Sequence, residues 1–142
     1  MKLVLQKLLV AIALVGLASQ LVIDYRQRAS IKRLVQLNAT LYPALKTVTQ
    51  DWSDTTLQLY LHETALAENV AERQQMLQQA AYLGPFKTCR AIEEVTPPNP
   101  DLYALAGQCQ FAHGAAQLRA LFVAQGDGYA LYSLWFTPVD GH

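Results

Sequence analysis

Cys89 and Cys109 are the only cysteines in the 142-residue chain, and oxidative pairing is the chemistry their spacing supports. Both stand ten residues from Asn99, so a hairpin centred there makes them direct cross-strand neighbours. Directly opposed strand residues bring their Cβ atoms within bridging range. A bridge would close a loop of 21 residues, Cys89 to Cys109 inclusive, and stabilise by about 3 kcal/mol. The competing reading keeps both thiols reduced and buried. Two thiols with no histidine pair nearby do not build a tetrahedral zinc site, so no metal is expected.

The other reactive side chains do not converge. His62, His113 and His142 are the only histidines. His113 falls in a tight turn, His142 is terminal, and each reads as a solvated surface residue. Glu93 and Glu94 are adjacent on a strand, point to opposite faces and cannot work as an acid/base pair. Asp51 fits either a pocket acid or a cap residue beside a helix start at Ser53, and the second reading is preferred. No glycine-rich phosphate loop, serine nucleophile elbow or HExxH sequence occurs. No enzyme site, catalytic residue or cofactor is therefore expected.

The elements that carry these residues follow from periodicity. Residues 25–50 read as helical, with a break expected near Pro43. Ser53 caps a helix over Thr55–His62. Val70, Arg73, Met76, Leu77, Ala80, Ala81 and Leu83 form a helical apolar stripe with one polar interruption. Gly84 and Pro85 stop that helix. From Phe86 the period becomes two, predicting strands over 86–95, 102–112, 115–124 and 129–137. The loop at 96–101, a two-residue turn at His113-Gly114 and the Gly126-Asp127-Gly128 turn make them an antiparallel meander. The second turn pairs Ala112 with Ala115, which sets Cys109 against Leu118 and Leu105 against Phe122. Gln108, Gln110, Gln117 and Arg119 then share the opposite face. The predicted class is α+β, with helices packed on a four-stranded antiparallel β-meander.

The last strand is apolar on both faces: Leu131 and Trp135 on one, Tyr132, Leu134 and Phe136 on the other. With Leu121 and Val123, the second set makes a candidate partner-binding patch of Leu121, Val123, Tyr132, Leu134 and Phe136. An open patch would serve an envelope protein partner or a homodimer. A curled sheet or the N-terminal helix would equally well cover it.

The N-terminus adds a location. After Lys7, Leu8–Ala18 holds eleven residues without a polar side chain. The segment fits an uncleaved anchor over Leu3–Ile23, a signal cleaved after Gly16-Leu17-Ala18, or a buried helix. Arg26, Arg28, Lys32 and Arg33 follow closely and favour the anchor. The expected organisation is an N-terminal hydrophobic anchor over 1–24, a helical connector over 25–50 and a folded domain over 51–142. The cysteine pair sets the orientation: a single-pass protein of a bacterial inner membrane, in contact with the lipid bilayer, its C-terminal domain in the periplasm. Beyond residue 33 the chain carries five basic against ten acidic residues, which argues against nucleic acid as a partner.

The order of short motifs resembles small proteobacterial envelope proteins with a cystatin-like, nuclear-transport-factor-like fold. The matching pieces are Asp51-Trp52, then Leu83-Gly84-Pro85-Phe86-Lys87, Phe111-Ala-His-Gly114-Ala-Ala116 and Asp127-Gly128-Tyr129-Ala130-Leu131, over roughly residues 50–138. Tyr129 stands where that family commonly has Trp. The resemblance implies a helix cradled by a curved sheet, often with a pocket, and carries over no catalytic residue. A type IV pilin is the runner-up, but the chain lacks the pilin's glycine–phenylalanine cleavage pattern and acidic residue in the apolar helix. The expected role is a non-catalytic, membrane-anchored periplasmic binding or assembly module. The alternatives are a small enzyme using the fold's pocket and a structural subunit of a pilus or secretion machine.

Overall fold

The computed structural model describes the backbone of residues 2–139 and the side chains of residues 6, 7 and 24–139. The chain divides into two units between Val35 and Gln36, inside the expected connector. The first unit is helical, and its side chains from Asp24 to Lys32 are exposed.

Among the described residues no helix is long and apolar enough to cross a membrane. A span needs about 20 predominantly apolar residues in succession. From Asp24 to Val35 the helix instead carries Asp24, Arg26, Arg28, Lys32 and Arg33. This corrects the expected single-pass placement in a bacterial inner membrane with a periplasmic domain. The choice between anchor and cleaved signal rests on side chains at 3–5 and 8–23, which lie outside the described residues.

The second unit is α+β. It begins within helix α1 (Lys2–Asp51) and continues through α2 (Asp54–Gln58), a 3₁₀ turn (Glu63–Ala65), α3 (Val70–Ala80) and a second 3₁₀ turn (Ala81–Leu83). Strands β1 (Phe86–Val95), β2 (Leu102–Phe111), β3 (Gly114–Gln125) and β4 (Gly128–Val139) follow as an antiparallel sheet in the order β1-β2-β3-β4.

Helix α1 passes through Pro43 without the expected break. A proline removes one N–H and orphans the carbonyl four residues earlier. Here both Pro43 and Ala39 are exposed, so water can serve that carbonyl. On the other side Leu37, Leu41, Ala44, Leu45 and Val48 are fully buried at helical spacing. That stripe holds the helix together across the proline. Thr49 ties it to the sheet: its Oγ1 donates to the Leu45 carbonyl (2.7 Å) and accepts from the Phe86 N–H (2.9 Å).

Trp52 ends the helix in the left-handed region, at φ 51°, with its N–H on the Val48 carbonyl at 2.7 Å. A non-glycine residue there carries a steric cost of about 1–2 kcal/mol. Packing offsets it. The indole lies 4.9 Å from Phe136 and 5.6 Å from Phe111, and Nε1–H donates to the Gly84 carbonyl at 3.1 Å.

The cysteines are bridged, with S–S at 2.04 Å and Cys89 directly opposite Cys109. The Asn99-centred register holds only for Thr88, Cys89 and Arg90, because a register shift interrupts the ladder on each side. At the second shift Ala91 takes φ 53°. Gly107 lies against it, where a Cβ would come within 2.7 Å of Ile92 Cγ1. Replacing both cysteines by alanine is expected to lower stability by about 3 kcal/mol. Urea denaturation of the oxidised protein and the double variant reads this. Equal midpoints and slopes would show that the bridge constrains nothing.

The β2–β3 turn sits one residue earlier than expected. Phe111 pairs with Gly114 and Cys109 with Ala116, so Ala112-His113 form the turn. Gly114 serves a close approach instead: a Cβ there would lie 2.8 Å from Leu83 Cδ2. The pairing slides by two residues, which preserves the faces. Leu105, Cys109, Phe111, Ala116, Leu118, Ala120 and Phe122 are all buried on the core face.

Candidate functional site on the outer face of the sheet

The strand β4 changes phase. Leu121 pairs with Ser133 but Phe122 pairs with Leu131, which leaves Tyr132 as an extra, bulged residue. Leu131, Leu134 and Phe136 all turn into the core, with exposures of 2 % or less. This corrects the expected patch. Leu134 and Phe136 are core residues, and Leu121, Val123 and Tyr132 remain half-buried outside it. The bulge resolves why the strand reads as apolar on both faces: it spends its alternation twice on the same side.

Trp135, expected beside Leu131, instead faces outward at 37 % exposure, opposite Arg119 of β3. Three concavities meet at this indole. A partly open cavity of about 110 Å³ lies at the bulge, between Glu68, Arg73, Leu121, Tyr132 and Trp135. A more open cleft of about 390 Å³ is bounded by Thr96, Pro98, Arg119, Leu121, Ser133 and Trp135. A third, of about 340 Å³, separates Glu72, Gln75 and Gln79 of α3 from Trp135 and Thr137.

Two polar pairs build the cavity wall. The Tyr132 hydroxyl donates to Glu68 Oε2. That bond, with burial and the carboxylate charge adding to it, holds the proton on the phenol and raises its pKa above the usual tyrosine value. Behind it Arg73 is nearly fully buried, with 6 % exposure. Its Nε and Nη2 both meet the Asp54 carboxylate, Nη2 at 3.1 Å, and its remaining N–H groups reach the carbonyls of Glu68 (3.2 Å) and Leu66 (3.3 Å). The Arg73 hydrogen bond holds the Asp54 carboxyl below the ordinary carboxylate range, against a smaller opposing effect of burial. Arg73 therefore fastens α3 to α2 and the following turn.

The other candidates have structural duties. Asp51 accepts from the Ser53 N–H (3.2 Å) and the Thr56 hydroxyl (2.8 Å), as a cap residue would. His62 accepts from the Thr64 N–H at 3.2 Å and caps the first 3₁₀ turn. His113 is exposed in its turn, and His142 lies outside the described residues. Among the described residues no group of three or more histidine, cysteine or carboxylate side chains collects to hold a metal. Glu68, Arg73 and the outward Trp135 escaped the sequence reading. The traces they leave there are the polar interruption at Arg73 and the double-faced apolarity of β4.

Both sheet edges are interrupted. β1 is bulged twice and exposes Lys87, Arg90 and Glu93, while the Leu131 carbonyl of β4 accepts from the His62 N–H at 2.7 Å. Leu59 and Tyr82 are exposed singly elsewhere, whereas Trp135 is the exposed apolar side chain that lines all three concavities. No protein-family model, curated protein or solved structure matches the chain.

Proposed function

We propose that this chain is a non-catalytic binding module and that the face around Trp135 is its recognition surface. The observation that carries the reading is an outward indole, opposite a cationic side chain, where three concavities converge. Tryptophan and arginine are the residues most enriched where binding energy concentrates. The polar groups nearby are engaged in holding the fold, which favours binding over catalysis. The laying of α1 from Gln36 onward against a four-stranded meander supports a cystatin-like reading of the fold.

Trp135→Ala tests it. Among the described residues the side chain packs on no core residue through a ring contact, so stability is expected to change little, as for other surface positions. Affinity capture with the full-length chain, followed by mass spectrometry, is expected to return a protein set that the variant loses. A variant that keeps the fold and the same set would overturn the assignment.

A further inference from the structure

The small cavity at the Tyr132 bulge has a composition that selects one ligand chemistry. Its wall brings together the rings of Tyr132 and Trp135, the apolar Leu121 and Leu134, and the Glu68 carboxylate. Arg73 also lines it, but its charge is matched by Asp54. Among the lining residues the unmatched charge is that of Glu68. The Tyr132 hydroxyl binds one of its oxygens and orients the carboxylate.

A carboxylate beside aromatic rings attracts a cation, because the ring faces are electron-rich. Asn69 and Ser133 add neutral polar groups to the wall, but hard metal ions are held by several oxygen ligands including more than one carboxylate, and Glu68 is the one carboxylate that lines the cavity. An organic ammonium needs only a counter-charge and an aromatic surface. A volume of about 110 Å³ suits such a group and excludes a drug-sized molecule, which needs roughly 300 Å³ or more.

We propose that this cavity binds a small organic ammonium group, with Glu68 as counter-ion and Tyr132 and Trp135 as the aromatic wall. The proposal rests on the Trp135 face being the recognition surface and names the chemistry that one part of that face takes.

The test is a titration of the full-length, isotopically labelled chain with tetramethylammonium chloride, against sodium chloride at equal ionic strength. The two indole N–H resonances, of Trp52 and Trp135, report separately. A saturable shift of the Trp135 signal is expected, without movement of Trp52 and without an effect of sodium. Glu68→Gln is expected to weaken binding at least tenfold, Tyr132→Phe to weaken it less, and Lys87→Gln, at an exposed position on β1 outside all three concavities, to leave it unchanged. No saturable shift in the wild-type protein overturns the proposal, as does equal affinity in a folded Glu68→Gln or Tyr132→Phe variant. Failure here alongside loss of the captured proteins in Trp135→Ala would reject the ammonium site and leave the recognition surface standing. Failure of both would reject the surface itself.

Discussion

Replacing Arg73 by leucine is expected to destabilise the protein by about 3–5 kcal/mol at neutral pH, the range for breaking a buried ion pair by removing one partner. The exposures of the two side chains, 7 % for Arg73 and 9 % for Asp54, put the pair in that class. Leucine leaves the Asp54 carboxylate without its main partner and strips donors from the carbonyls of Leu66 and Glu68. Each buried group left unpaired costs more than the hydrogen bond itself contributed. The pH dependence has a definite sign. Because the native pKa of Asp54 is depressed, its stabilisation is complete above the unfolded value of about 3.9 and is lost as pH falls through the native value. The difference between wild type and Arg73→Leu should therefore be full at pH 7 and narrow on acidification. Urea denaturation of both proteins from pH 7 to pH 3 reads it. A constant difference across that range would show that the pair does not govern Asp54.

Trp52→Ala is expected to cost a similar amount, about 3–5 kcal/mol, as for other buried aromatic truncations. At 7 % exposure the indole fills the junction of helix and sheet, against Phe111 and Phe136, and its N–H satisfies the Gly84 carbonyl. The loss combines a cavity with an unpaired acceptor. Trp52→Phe keeps a ring and should lose markedly less. If the alanine and phenylalanine variants unfold at the same urea concentration, the aromatic cluster is not what joins the two layers.

The sheet was largely readable because each connection is written in turn residues and the strands alternate cleanly. The Cys89–Cys109 pairing could be read from symmetry about Asn99, since a disulfide locks the register locally even where bulges shift it on both sides. The position of the β2–β3 turn was not readable. A His-Gly pair signals a turn, but Gly114 answers to Leu83, a neighbour distant in sequence. The phase change at Tyr132 was hidden for the same reason: a bulge forms where the core, not the local sequence, rewards turning both Leu131 and Leu134 inward although they stand three residues apart. Unbroken alternation along β4 would send Leu134 and Phe136 outward and Trp135 inward, and the bulge reverses all three. Arg73 reads as a flaw in an amphipathic stripe until Asp54, nineteen residues away, is seen beside it.

The central claim is that the Tyr132 bulge leaves Trp135 open on the outer face while Trp52 is enclosed. Acrylamide quenching of tryptophan fluorescence in Trp52→Phe and Trp135→Phe proteins isolates each indole in turn. The account predicts strong quenching of Trp135 in the first and weak quenching of Trp52 in the second. A Trp135 as protected as Trp52 would contradict it.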